Sequence, residues 1–210
     1  DGSVWGSSLD TQSIDFESIA PLLEGNLRLY EKTGESRYLT QAEDAAYYDA
    51  AWQMAQSIPN PPGSLMESIG YETFGVHSVA TIHMCAHAFG LADFRSLWKL
   101  AQLTHKPIWR ERAIATWNNA TLGISDGTFA PMGEPSRPYG SQDETYDYTD
   151  WGIDYPWAYH LDRAHPRGSG SEWLVAWPTA MRLTILADPE LRSAIEALPG
   201  KPLRFRPSPP

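Results

Sequence analysis

One phrase occurs twice in this chain, and that repetition limits the folds open to it more than any other feature. "RLYEKTGESRYLTQAEDAA" begins at Arg28 and "KLAQLTHKPIWRERAIATW" at Lys99, an offset of 71 residues. Leu29 falls on Leu100, Thr33 on Thr104, Tyr38 on Trp109 and Ala42 on Ala113. Each copy reads as a helix, a tight turn and a second helix. In the first, Ile19, Leu22, Leu23, Leu27 and Tyr30 form one apolar stripe and Gly34 is a stop. Ser36 is then an N-cap for a helix whose face carries Leu39, Ala42, Ala46, Ala50 and Met54, ended by Pro59, Pro61 and Pro62. A fainter third copy, "RLTILADPELRSAI", sets Pro189 on Pro107 and Leu191 on Trp109 at an offset of 82. A lone hairpin cannot bury its own apolar face, so repeated hairpins must stack. Strand signals are weak, and the expected class is all-α, built from antiparallel helical hairpins.

The connections alternate in length. Links within a hairpin are a few residues, whereas those between hairpins, after Pro59 and after Gly127, are long. Loops of that length without structure of their own are usually functional. In stacked hairpins such links emerge at one end, so their side chains are expected to gather at one mouth. The longest holds "YGSQDETYDYTDWGIDYPWAYH", residues 139–160, with five carboxylates, five tyrosines and two tryptophans. Ordinary loops are thin in aromatics, and disordered acidic tails lack them.

Aromatic residues make up 12% of the 210-residue chain, with nine Trp and ten Tyr, an excess that points to a recognition surface. The net charge of −10 argues against nucleic acid, which needs a basic surface, and against an anionic membrane. No transmembrane run is visible. Cys85 is the single cysteine, so there is no disulfide framework and no cysteine metal cluster. There is no phosphate-cradling loop, nucleophile elbow or dinucleotide fingerprint. The opening "DGSVWGSSLD" lacks a Met and reads as a processed chain or a piece of a longer one.

The hairpin phrase, above all "LRLYEKTGESRYLTQAEDA", is similar to the inner-helix, turn, outer-helix segments of the α/α-toroid, or six-hairpin, glycosidase-like superfamily. The resemblance covers most of the chain but only about half of such a ring. It implies an α/α-toroid or partial toroid with long loops on one face, residues 1–200 forming one hairpin domain within a larger toroid and 201–210 a Pro-rich tail. It also implies a second chain or a missing N-terminal half to complete the ring. The superfamily hosts hydrolases and lyases on one scaffold, so the chemistry has to be argued from residues.

Glycoside hydrolysis typically uses two carboxyl groups, one protonated and one ionised. The expected acids are Asp143, Glu144, Asp150 and Asp154, with Glu72 from the neighbouring loop, where Glu67 and Glu72 flank Tyr71. In extended "DETYDYTD", acids and rings alternate and are expected on opposite sides. Rings for sugar faces are Tyr71, Tyr146, Tyr148, Trp151, Tyr155, Trp157 and Trp173. Glu72 lies before an expected helix, where its charge would also suit the helix dipole. Trp5, Asp10 and Glu172 are secondary candidates at the same mouth. His83 and His87, four apart on an expected helix, have a spacing zinc can use, but no third ligand accompanies them. The expectation is therefore no metal and no cofactor, with a carbohydrate as partner. Pro178 is expected to kink a helix starting at Ser171. Asn119-Ala120-Thr121 fits a glycosylation sequon. The leading reading is a glycoside hydrolase acting on a poly- or oligosaccharide. A polysaccharide lyase, drawing on Arg137, Arg163 and Arg167, and a non-catalytic carbohydrate-binding or structural domain are the alternatives.

Overall fold

The two copies of the repeated phrase fold into the same turn. In the computed structural model, which describes residues 16–78, 85–128, 136–147, 151–152, 164–165, 168–170 and 174–198, α1 (Ile19–Thr33) and α2 (Ser36–Trp52) are joined by Gly34 and Glu35. After a short α3 (Leu65–Ser68) and a 3-10 turn (Ala88–Asp93), α4 (Phe94–Thr104) and α5 (Pro107–Ala120) are joined by His105 and Lys106. Gly34 has φ 70° and His105 φ 59°, so both close their helix in the left-handed region. Thr33 Oγ1 donates to the Leu29 carbonyl at 2.8 Å and accepts the Glu35 N–H at 3.2 Å. Thr104 does the same with Leu100 and Lys106, at 2.7 and 3.4 Å. The threonine back-bond and the left-handed residue after it are what the 71-residue repeat encodes.

The third hairpin, α6 (Trp177–Leu186) and α7 (Pro189–Glu196), turns differently. Its link ends at Asp188, whose Oδ1 accepts the N–H groups of Glu190 and Leu191 at 3.0 and 3.3 Å. Here α6 starts at Trp177, so Pro178 sits in the first turn, where it removes no hydrogen bond, and the expected kink is absent.

The middle hairpin touches both others. Lys99 pairs with Glu31 at 2.7 Å and Lys106 with Glu43 at 2.5 Å on one side. Gln102 donates to Glu190 at 2.5 Å and Arg95 pairs with Asp188 at 3.6 Å on the other. Between them Leu23, Leu27, Phe94, Leu97, Leu100, Trp109, Trp117, Ile185 and Leu191 form the main core. No helix among the described residues is long and apolar enough to cross a membrane.

The molecule is mostly helical but not all-α. β1 (His77–Ser78) and β2 (Cys85–His87) pair antiparallel, with His77 opposite His87. This replaces the helix expected for "HSVATIHMCAHAFG": His87 lies on a strand, so it shares no helical face with His83, which is outside the described residues. β3 (Gln142–Asp143) and β4 (Thr145–Asp147) follow, then β5 (Trp151–Gly152), β6 (Ala164–His165) and β7 (Leu174–Val175). β4 extends the first sheet, with Cys85 opposite Asp147, Ala86 opposite Tyr146 and His87 opposite Thr145. β3 pairs with β7, and β5 with β6. The connections between hairpins meet one another here. The Met66 N–H donates to the Gly168 carbonyl at 3.0 Å, and Met66, Ile69, Tyr71, Val76, Ala86 and Tyr146 form a second core cluster.

The helix expected to run on to Pro59 ends at Trp52. The next residue, Gln53, turns to bridge His77, and its amide donates to Thr116 Oγ1 at 2.8 Å and to the Arg112 carbonyl at 3.1 Å.

Candidate functional site

The segment Gln142–Asp147 is anchored at both ends, by β7 on one side and β2 on the other, and bends at Glu144. Side chains two apart on extended backbone point the same way, and here Gln142 and Glu144 both reach α6. Gln142 Oε1 accepts from Arg182 Nη2 at 3.5 Å, and Glu144 Oε1 accepts the Trp177 indole N–H at 3.3 Å. Thr179 Oγ1, also on α6, donates to the Gly140 carbonyl at 2.7 Å and ties the helix start to the turn before β3. Of the stretch expected to sort acids from rings, residues 148–150 lie outside the described residues. Gln142, Asp143, Thr145, Tyr146 and Asp147 are all buried, and Glu144 is half-buried.

Asp143 faces the Arg137 guanidinium, with Oδ1 3.5 Å from Nη2. Asp147 Oδ2 accepts from Ser169 Oγ at 3.0 Å. Tyr71 and Tyr146 lie ring against ring, centroids 4.6 Å apart, and both are buried. Burial first, then the nearby Asp143 and Tyr71, hold the Tyr146 phenol well above its ordinary pKa, with Arg137 acting the other way. The Tyr71 hydroxyl donates to Asn119 Oδ1 at 3.3 Å, and Asn119 Nδ2 donates to the Glu72 carbonyl at 2.6 Å. These two rings are interior packing and present no face to solvent. Asn119 is buried with both ends of its amide engaged, which leaves the sequon no free nitrogen in the folded chain.

Glu72 is exposed, and a strand rather than a helix follows it, so no helix dipole acts on it. Glu67 caps α3: its N–H donates to Ser64 Oγ at 3.1 Å, while its Oε2 accepts the Gly63 N–H at 2.6 Å. Trp151 contributes backbone to β5, opposite His165. Tyr148, Asp150, Asp154, Tyr155, Trp157, Glu172 and Trp173 lie outside the described residues, as do Trp5, Asp10, Arg163 and Arg167.

Glu144 therefore stands out. Its side chain is half-buried and is held by one indole donor, that of Trp177. Trp177 lies 5.5 Å from the His87 ring and 6.1 Å from Phe89. His87 Nδ1 accepts the Phe89 N–H at 3.1 Å, which in the neutral ring leaves the proton on Nε2. Glu144 thus meets Trp177, and it is Trp177 that carries the contact on to His87 and Phe89.

Sequence reasoning missed a second polar cluster. Asp49 and His77 are fully buried, with Oδ1 and Nε2 3.2 Å apart, and the His77 ring stacks on Phe16 at 4.5 Å. Asp93 is equally buried, and its carboxyl is held well above the usual range by burial and then by the charges of Asp49 and Glu24. The signal was available: Asp49 falls on the same stripe of α2 as Ala42, Ala45 and Ala46. Among the described residues no group of three or more His, Cys, Asp or Glu side chains is arranged to hold a metal ion.

Comparison with protein-family models, with characterised proteins and with solved structures finds no match to this chain.

Proposed function

We propose that the chain is a carbohydrate-acting domain, a glycoside hydrolase on an arc of α/α-toroid hairpins, with Glu144 as the proton donor. The observation that carries this reading is the setting of Glu144: half-buried, its Oε1 held at 3.3 Å by the indole of Trp177, a ring that in turn packs against His87 and Phe89. A general acid has to stand within hydrogen-bond reach of the oxygen it protonates, and Glu144 is the acid of this segment that keeps part of its surface open. The rings beside it supply the flat apolar surface that a sugar face stacks on. The second carboxyl of the pair is assigned to Asp150 or Asp154 on the acidic-aromatic stretch. Asp143, turned to Arg137, serves instead to fix the backbone on which Glu144 stands, and Tyr71 and Tyr146 support that segment from below.

The test is release of reducing ends from a panel of poly- and oligosaccharides by the wild type and by Glu144→Gln, each shown to be folded by circular dichroism. The reading requires turnover of at least one glycan by the wild type and loss of roughly a hundredfold or more in the variant. Turnover that survives the substitution overturns it. The internal engagement of Asp143 and Asp147 favours a second reading, a carbohydrate-binding domain without catalysis. Affinity for a glycan with no reducing ends released would support that instead.

A further inference from the structure

Three titratable side chains meet in the interior, each brought by a different element. Asp49 of α2, His77 of β1 and Asp93 at the end of the 3-10 turn are all fully buried. Both carboxylate oxygens of each aspartate and both ring nitrogens of His77 are shut off from solvent and make no aligned hydrogen bond within the protein. His77 Nε2 stands 3.2 Å from Asp49 Oδ1, and Phe16 stacks on the imidazole at 4.5 Å. A Cβ at Gly90 would come within 2.2 Å of His77 Nδ1, so the bare glycine lets the turn that carries Asp93 lie against the ring. That turn packs against α1, α4, α5, α6 and β1. Among the described residues none of these elements brings a lysine or arginine to the two acids. From α1 comes Glu24, a third acid, paired with Arg28 at the surface. Arg95 and Lys99 of α4 turn to Asp188 and Glu31, Arg112 of α5 to Gln53 and the Ala50 carbonyl, and Arg182 of α6 to Gln142. From β2, His87 stands opposite His77, its Nδ1 accepting the Phe89 N–H.

With two protons among them, two carboxyls and one imidazole are neutral together. Each proton lost leaves net negative charge in a buried place, where it is costly. We infer that Asp49, His77 and Asp93 form a proton-operated latch: while protonated it seats β1 against the hairpins, and when a proton leaves, β1 lets go and loosens β2, the strand whose His87 packs against Trp177. The β1–β2 ladder is two residues long and has little of its own to hold it once the latch opens. Burial, then the charges of Asp49 and Glu24, hold the Asp93 carboxyl well above the usual range, in keeping with one of the two protons resting there. A group whose folded pKa lies above its unfolded one stabilises fully below the ordinary carboxylate range near ~4, and that contribution fades as pH rises toward the folded value. The strand pair beside Trp177 is therefore kept on the acid side and released as pH rises.

The experiment follows amide hydrogen exchange of the full chain by NMR from about pH 5 to about pH 8, corrected for the intrinsic base-catalysed rate, for the wild type and for Asp93→Asn. An opening that releases one proton is expected to lower the protection of the β1 and β2 amides by about tenfold per pH unit. These amides are expected to stay less protected than those of α4 throughout, because the latch opens without unfolding the hairpins. Asp93→Asn, which has no such proton to lose, is expected to flatten the slope. If the variant does not fold, the Asp93 side-chain carboxyl ¹³C resonance of the wild type keeps the test: it is expected to remain that of a protonated acid for as long as β1 stays protected. Wild-type protection that does not change with pH, a slope that survives Asp93→Asn, or β1 amides that exchange only together with those of α4 would each overturn the latch. So would an Asp93 carboxyl already ionised while β1 is still protected. No glycan enters these readings, so failure of the latch leaves Glu144 as proposed, and failure of the hydrolase reading leaves the latch.

Discussion

Trp109 ties the first two hairpins together, and removing it has a size that can be worked out beforehand. The side chain is fully buried on α5, edge-on to Tyr47 with ring centroids 4.8 Å apart. Its indole N–H donates to Glu43 Oε1 at 3.2 Å, an oxygen that also takes Lys106 Nζ. Trp109→Ala forfeits the transfer energy of the ring and leaves a cavity, together about 3–5 kcal/mol. The Tyr47 contact adds about 0.5 kcal/mol, the low end for an aromatic pair because Tyr47 is 55% exposed. The hydrogen bond adds little, since Glu43 keeps Lys106. A total near 4 kcal/mol is a large part of the ~5–15 kcal/mol that holds an ordinary domain together. At ~2–4 °C per kcal/mol for a chain of this size, the melting temperature should fall by about 8–16 °C. Urea titration followed by far-ultraviolet circular dichroism reads this without relying on the other tryptophans. Trp109→Phe, which keeps most of the volume, should cost less than half as much. If Trp109→Ala costs below ~1.5 kcal/mol, or if Phe costs as much as Ala, the hairpins are not joined through this ring.

Three further outcomes follow from the same geometry. His105→Gly should stabilise the chain by about 1 kcal/mol in urea, because a β-carbon is strained at φ 59° and Gly34 already fills the matching turn; an unchanged midpoint would mean the turn carries no strain. Gly90→Ala would place a Cβ 2.2 Å from His77 Nδ1, with Phe16 behind the ring, and should cost ~1–3 kcal/mol or abolish folding; a variant as stable as the wild type would contradict that packing. Asp93 has a folded pKa above its unfolded one, from burial and the charges of Asp49 and Glu24. Its contribution to stability is therefore full below the ordinary carboxylate range near ~4 and is lost as pH rises through the folded value. Asp93→Asn should gain on the wild type as pH is raised, and parallel stability curves from acid to neutral pH would refute the assignment.

The hairpins were legible because their signals are local. In the first two, a threonine that bonds back one turn sits beside a residue able to enter the left-handed region, and in the second and third a proline opens the next helix. The strands were not legible. Ladders of two or three residues are too short for a period to register, so the apolar run around Cys85 read as a helix when it is half of a strand pair. Pro178 was misread for a related reason: whether a proline breaks a helix or begins one depends on where the helix starts, and tertiary pairing of Leu174–Val175 with β3 sets that start. The stretch around Asp143 stood out in the sequence by composition alone. That Asp143 and Tyr146 turn inward while Glu144 stays half-exposed is decided by α6, remote in the chain, and by the turn that brings Arg137 back onto Asp143. Asp49 shows the reverse case, a charge on an alanine stripe that local pattern alone could have flagged as a buried partner.

The most direct test of the proposed site is the Trp177 indole N–H resonance of ¹⁵N-labelled protein, followed while each member of a panel of poly- and oligosaccharides is titrated in. The account predicts that this resonance moves with the bound fraction, and that Glu144→Gln alters its starting position, because the indole proton rests on that carboxylate. A Trp177 signal that stays fixed at saturating glycan while other indoles shift would place the sugar elsewhere and contradict the account.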